Sequence, residues 1–371
     1  MPQPAGTGRA HLLPTALFAD LSFVYPLKLL SPTPLASSPK GLRTIYVLSY
    51  GGGLISGDKV WLNLDVDSGA ALLVLTQGTT KVFKRRPGVR LATPTVLSSL
   101  SNPSPSESLR LSTTIQTSIA TLQPNASLYY LPSPTACFEN SRYTQRQRFD
   151  LPTCGTANLI VLDWFTCGRE KRGALTIGEV WDAERLEFFS EVWWGSTRGV
   201  GERIVLHDEN RPPPSAPLAQ SALPVSSSAP PTSGAADTTL QDPASGLKPP
   251  SSSSPSLSTT SNQTSYASSL YPYKIFLTLI LTGPATQSLI THLLDLQASE
   301  TKINHLPRTP SFLWSLSVLE ARNVPGMGRT VMVRACAVDG EMLKLWLYNC
   351  LKGPTGMGGL IGDEMWERAM G

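Results

Sequence analysis

From Lys59 to Val66 the chain reads KVWLNLDV, with Val60, Leu62, Leu64 and Val66 apolar and Trp61, Asn63 and Asp65 set between them. A period of two is the mark of a strand with one face in a core. Comparable signals recur at 43–50 (RTIYVLSY), 70–76, 114–120, 127–131, 143–151, 158–165, 186–194 and 203–208. Further on, YKIFLTLILTG is a continuous apolar run that predicts a fully buried strand, and 329–338 predicts another. Leu289, Leu293 and Leu296 share one helical face, and Leu343, Trp346, Leu347 and Cys350 form a second, for which Asp339 is the expected N-cap. Serial strands joined by Gly, Pro and Ser turns predict a mostly β fold, with stacked antiparallel or mixed sheets and about two α-helices in the C-terminal part. An alternating α/β fold is disfavoured.

One segment breaks this pattern. Of the 60 residues from 211 to 270, 34 are Pro, Ser or Thr, with Tyr266 as the sole aromatic. Such a composition cannot bury enough apolar surface to offset the entropy of ordering, so 211–270 is expected to be a disordered insertion. It divides a single β-rich domain of 1–210 and 271–352, and 353–371 is read as a tail. Shorter Ser/Pro-rich patches at 30–41 and 98–108 read as surface loops.

Composition narrows the function classes. Apolar residues make up 41% of the chain, which is ample for a large core, whereas a net charge of +4 is too small to suggest a general nucleic-acid or membrane binder. The five cysteines are odd in number and contain no C-x-x-C pair, which fits a reducing compartment and predicts a cytoplasmic protein. Pro14, Asp20 and Pro26 interrupt the moderately apolar N-terminal region, and no apolar run is long enough for a membrane helix.

Candidate chemistry is sparse. SYGGGLISGDKV invites comparison with a phosphate-binding loop, but Asp58 stands where the lysine should be, Lys59 comes one place late, and a strand pattern follows instead of a helix. A glycine-rich connection between two strands accounts for it better. The four histidines show no metal-ligand spacing, and G-x-S-x-G and H-E-x-x-H are absent, so no conventional hydrolase or zinc enzyme is indicated. KVFKRRPGVR (81–90) is either a solvated turn or a site for an acidic partner, and the same alternatives hold for Arg146 and Arg148. Asp163, inside the apolar NLIVLDWF, is the most informative residue. A carboxylate there is costly unless paired or hydrogen-bonded. It is either half of an ion pair, with Arg169 as a nearby candidate, or a functional interior acid.

Several stretches, in order, resemble the urease accessory protein D (UreD/UreH) family. GGLISGD (52–58) follows the family's Gly-Gly-x-x-Gly-Gly-Asp loop, with Ser56 replacing a glycine. TQGTTKVF (76–83) follows its Thr-x-Gly-Ala-[ST]-Lys strand end, with Thr79 for alanine. LYYLPSPTACFENSRYTQR, residues 159–173, GERIVL (201–206) and TVMVRACAVDGEMLKLWLYNCL continue the series. Ala174 replaces the usual acid, and Tyr50-Gly51 stand where the family usually has Pro-Pro. The resemblance spans most of 8–210 and 271–352. It implies a mostly β, non-catalytic scaffold that binds the F-type accessory protein, through it the G-type GTPase, and also urease apoprotein. It further implies that nickel is cargo in transit, with no tightly bound cofactor. Matched residue by residue, Asp58, Thr80, Asp163 and Glu202 are the expected transient ligands or polar lining of a nickel route. The alternative is an all-β interaction module unrelated to metal.

Because 211–270 lacks the composition of a core, deleting Pro213 to Ser265 should leave the melting temperature and urease activation in a complemented null strain nearly unchanged. Loop-closure entropy varies by only ~0.6 kcal/mol per doubling of length. A large loss of either would mark the segment as a folded module.

Overall fold

The computed structural model describes residues 3–85, 105–168, 181–208, 266–300, 311–319, 328–353 and 355–371. In chain order the strands are β1 (Thr7–Leu12), β2 (Phe18–Phe23), β3 (Leu27–Leu30), β4 (Leu42–Ser49), β5 (Lys59–Val66), β6 (Ala71–Thr76), β7 (Thr80–Val82), β8 (Thr114–Leu122) and β9 (Ser127–Tyr130). They continue with β10 (Thr135–Cys137), β11 (Arg142–Leu151), β12 (Asn158–Thr166), β13 (Arg185–Trp194), β14 (Thr197–His207), β15 (Ile275–Thr282), β16 (Phe312–Leu319) and β17 (Thr330–Ala337). The helices are α1 (Pro105–Ser112), α2 (Ala267–Leu270), α3 (Gln287–Glu300), α4 (Gly340–Leu351), α5 (Met357–Ile361) and α6 (Asp363–Met370).

The strands form two mixed sheets. One has seven strands in the order β14-β13-β11-β8-β5-β1-β2; the other runs β16-β17-β15-β12-β9-β6-β4-β3, with β10 and β7 continuing from β12. From β4 to β13 the chain passes back and forth between sheets, staying in the second for β6–β7 and again for β9–β10, so that β5, β8, β11 and β13 pair in parallel in one and β4, β6, β9 and β12 in the other. Parallel neighbours require a crossover. Here the crossover is a strand of the opposite sheet, which is how a chain with few helices builds parallel sheets. Antiparallel pairing, the geometry expected from serial strands, occurs at β1–β2 and β13–β14 in the first sheet and at β3–β4, β12–β15, β15–β17 and β16–β17 in the second.

Two apolar layers follow from this arrangement. Leu62, Leu64 and Phe149 of the first sheet meet Leu72, Val74, Leu159 and Val161 of the second. The opposite face of the second sheet, including Leu73, Ile160, Leu162, Trp164 and Leu279, packs against Leu293 of α3, Leu347 of α4, Ile361 of α5 and Trp366 of α6. The second sheet is therefore covered on both faces, which is why β6, β12 and β15 read as nearly continuous apolar runs.

The glycine loop serves strand packing. A side chain at Gly53 would place its Cβ 2.5 Å from the carbonyl oxygen of Lys81, and Gly57 combines a φ of 85° with a close approach to Leu111. The loop opens into β5, as the alternation predicts.

The two expected helices are α3 and α4, and Asp339 caps α4 by accepting a hydrogen bond from the Glu341 backbone N–H at 3.2 Å. Residues 353–371, read as a tail, instead form α5 and α6, and Trp366 is fully buried. Their apolar residues lie among Gly and charged positions, which hid the helical face. At the end of the stretch read as an insertion, Tyr266 and Ala267, the first residue of α2, are buried, with the Tyr266 hydroxyl donating to the Ala183 carbonyl at 2.6 Å. The remainder, 211–265, lies outside the described residues, as does 98–104. Among the described residues no helix is long and apolar enough to cross a membrane.

Trp366 packs in parallel with Tyr348 at 6.2 Å, and Ser37 in the β3–β4 connection donates to Glu364 of α6 at 2.8 Å. Trp366→Ala should therefore destabilise the chain by about 3–5 kcal/mol, as for a large buried aromatic. Urea unfolding would check this; a loss below about 0.5 kcal/mol would fit an undocked tail.

Candidate functional site

Strand alternation places a band of polar side chains in the space between the two sheets. In β12, Leu159, Val161 and Phe165 face the first sheet, and Asp163 shares their face. In β11, Tyr143, Gln145, Gln147 and Phe149 point inward, while Arg146 and Arg148 point to solvent. In β13, Ser190 interrupts an inward row of Leu186, Phe188, Val192 and Trp194.

The pairing registers align these positions. Across the first sheet Ser118, Gln147, Ser190 and Glu202 are successive partners in β8, β11, β13 and β14. Across the second, Asp163, Thr278 and Arg334 are successive partners in β12, β15 and β17. The result is two facing polar rows inside an otherwise apolar sandwich.

Hydrogen bonds link the rows. Gln145 Nε2 donates to Asp163 Oδ1 at 2.8 Å, and the Ser190 hydroxyl donates to Asp163 Oδ2 at 3.1 Å. The Ser190 hydroxyl also lies 3.3 Å from Gln147 Oε1. The Tyr143 hydroxyl sits between Gln145 Oε1 and Gln116 Oε1, at 3.0 and 3.1 Å, and the Tyr130 hydroxyl is 3.2 Å from Ser118 Oγ. At the margin, Arg334 forms a two-pronged ion pair with Glu202: Nε to Oε1 at 3.0 Å and Nη2 to Oε2 at 2.6 Å. Buried polar groups require such partners.

Burial governs the electrostatics. It pushes the Asp163 carboxyl up from 3.8 to about 6, against the lowering effect of the Gln145 and Ser190 hydrogen bonds, and the nearby Glu202 charge adds to the rise. Burial likewise pushes the Tyr130 hydroxyl up to about 12 and that of Tyr143 well above its ordinary value. The two phenols thus stay neutral at physiological pH. Among the described residues Asp163 has hydrogen-bond donors but no basic side chain within ion-pair distance, and Arg169 lies outside them.

The four residues matched from sequence fall in three places. Asp163 and Glu202 come together through Ser190, which pairs in register with Glu202 and hydrogen-bonds Asp163. Thr80 shares with Val82 the inward face of β7 and is the register partner of the buried Thr135. Asp58 is buried in the glycine loop, where its Oδ2 accepts from the Ile55 backbone N–H at 2.8 Å and steadies the turn. Ser118, Gln145, Gln147, Ser190, Thr278 and Arg334 were not singled out from sequence. Their signal was available as polar residues at inward positions of alternating strands.

The basic residues weighed as partner sites largely find internal partners. Lys84 pairs with Glu139 at 3.2 Å, while Arg85 and Arg142 converge on Glu184 at 2.9 and 2.6 Å. Arg148 pairs with Asp150 and lies over the Trp193 ring at 4.7 Å. Arg86 and Arg90 lie outside the described residues.

The donors in the band are carboxylate, amide and hydroxyl oxygens, and among the described residues no three of His, Cys, Asp and Glu gather as a metal-holding group. Carboxylate and neutral oxygen donors are, as a class, ligands that hard divalent cations take and exchange readily.

Comparison with known proteins places this geometry in context. The family model described as UreD urease accessory protein matches residues 14–228. The chain is 33% identical to urease accessory protein 4 of Cryptococcus neoformans over 369 residues, which cover 99% of this chain and 95% of that protein. It is 30% identical to urease accessory protein D of Arabidopsis thaliana over 169 residues, 46% of this chain and 47% of that one. With the counterpart from Oryza sativa subsp. indica it shares 33% identity over 149 residues, 40% of each chain.

The raised Asp163 value carries a stability consequence with a definite sign. The native state holds this proton to higher pH than the unfolded chain does, so stability contributed by Asp163 is lost as pH rises from about 4 to about 6. The displacement corresponds to at most about 3 kcal/mol, reduced by the solvent that reaches this part-buried carboxylate. Asp163→Asn should therefore raise the melting temperature at pH 7.5 and have little effect at pH 4. A lower melting temperature at pH 7.5 would instead reveal a cation paired with this carboxylate.

Proposed function

The chain belongs to the UreD urease accessory protein family and so takes part in urease maturation, and from that premise we propose that it acts as a non-catalytic scaffold through which nickel passes to urease apoprotein. The observation that supports this reading most is the polar band between the sheets, with Asp163 at its centre and Glu202 at its margin. A hydrophobic core gains nothing from such a band, since apolar residues of similar volume would pack there at lower desolvation cost. A route for a hydrated cation needs it.

In this reading nickel is cargo. Glu202 and Asp163 supply single carboxylates in succession, and Gln145, Gln147, Ser190 and Thr278 supply neutral polar lining. Single oxygen ligands hold the ion weakly enough to release it. Asp163 is largely ionised above its value of about 6, so at neutral pH it is available to a cation, and nickel loading weakens as pH falls through that value. Thr80, beside Thr135, extends the lining, and Asp58 contributes by fixing the glycine loop. The scaffold binds the F-type accessory protein, reaches the G-type GTPase through it, uses GTP only by way of that partner, and works in the cytoplasm without nucleic acid or membrane.

A second reading, an all-β interaction module without metal, is favoured by the hydrogen bonding of the band, which would also satisfy a purely structural core. Asp163→Ala separates the two. Expressed in a strain lacking this protein, the variant should fold and co-purify with the F-type partner while the nickel content of urease falls several-fold. Urease with full nickel would overturn transit through Asp163, and loss of both fold and complex would assign the residue to structure.

A further inference from the structure

The mouth of the polar band is closed by a positive charge. Glu202 is mostly shielded, with its side chain 15% exposed, whereas Arg334 is 46% exposed and reaches it from the solvent side. The β17 backbone at Arg334 is fixed between Thr278 of β15 and Ser315 of β16, which leaves the side chain as the movable part. Both oxygens of Glu202 are engaged by the guanidinium, in the two-pronged geometry that makes such pairs specific. One of the two carboxylates in the band is thus neutralised before any ion arrives, and a tethered positive charge stands beside the path.

We infer that Arg334 is an internal competitor for Glu202, a displaceable plug that keeps the band's affinity for divalent cations low and its contents exchangeable. The inference rests on the transit reading above. The guanidinium does chemically what a cation at this site would do, with the difference that it is tethered. An entering ion must take the Glu202 oxygens from Arg334, and when the ion moves on, Arg334 returns and disfavours backflow. A purely structural pair would join β14 to β17 as a strut between the sheets, and its removal would lower stability without altering cation binding.

The test is calorimetric titration of the full chain with Ni2+ at pH 7.5, with circular dichroism as a check on folding. Arg334→Gln should bind about tenfold more tightly than the parent, and the gain should vanish in Arg334→Gln/Glu202→Gln. Arg334→Lys, which keeps the charge but loses the fork, should fall between, and it decides the matter if Arg334→Gln does not fold. Unchanged or weaker binding by the Arg334 variants, with binding still lost in Asp163→Asn, would overturn the plug and leave the transit reading standing. No binding by any variant, or binding indifferent to Asp163→Asn, would overturn both.

Discussion

A β-sheet covered on both faces can tolerate a polar side chain only where the opposite layer offers it a partner, and this constraint organises the whole molecule. The second sheet lies between the first sheet and helices α3–α6, so the apolar residues of β12 point into one core or the other. At Asp163 the first sheet answers with Gln145 and Ser190. Those two residues have partners of their own in Tyr143 and Gln147, and Ser190 stands in register with Glu202, which Arg334 holds at the solvent margin. A single ionisable group in a buried strand thus stands at the centre of a band of polar positions across several strands.

Much of this was legible in the sequence. β5, β11 and β13 announce themselves by alternation, β12 and β15 by continuous apolar runs, and Asp163 by its contrast with its neighbours. The strands that escaped notice had physical reasons to. β1 contains Gly8 and Arg9, β7 and β10 have three residues each, and β16 carries Ser315 and Ser317 among its apolar positions. Pairing direction could not be read, because it depends on which sheet receives the next strand and not on the strand's own pattern. The site was half legible for a related reason. The carboxylates stand out singly, but that Ser190 faces Asp163 and that Arg334 reaches Glu202 are facts of register between distant segments.

Family membership and physical reading meet at the same residues from different directions. Matching motifs pointed to Asp58, Thr80, Asp163 and Glu202 as equals, and the structure distinguishes them. Asp163 and Glu202 share one polar band, Thr80 faces the core from β7, and Asp58 is committed to its own turn. Gly53 and Gly57 of the opening loop likewise owe their identity to the close passage of β7 and of the end of α1, which leaves no room for a Cβ.

The route by which the chain alternates between sheets also governs how the protein must be made. The parallel neighbours from β4 to β13 are separated in sequence by at least one strand of the other sheet, and α6 closes against the β3–β4 connection from more than 300 residues away. Contacts of this kind have high sequence separation and form slowly. During synthesis from the N-terminus, the helix-facing side of β4, β6 and β12 is complete long before Trp366 and Met365 emerge to cover it. The nascent chain therefore carries an uncovered apolar sheet face for much of its translation, so its yield in a cell depends on chaperone capacity and elongation rate as much as on the stability of the finished fold.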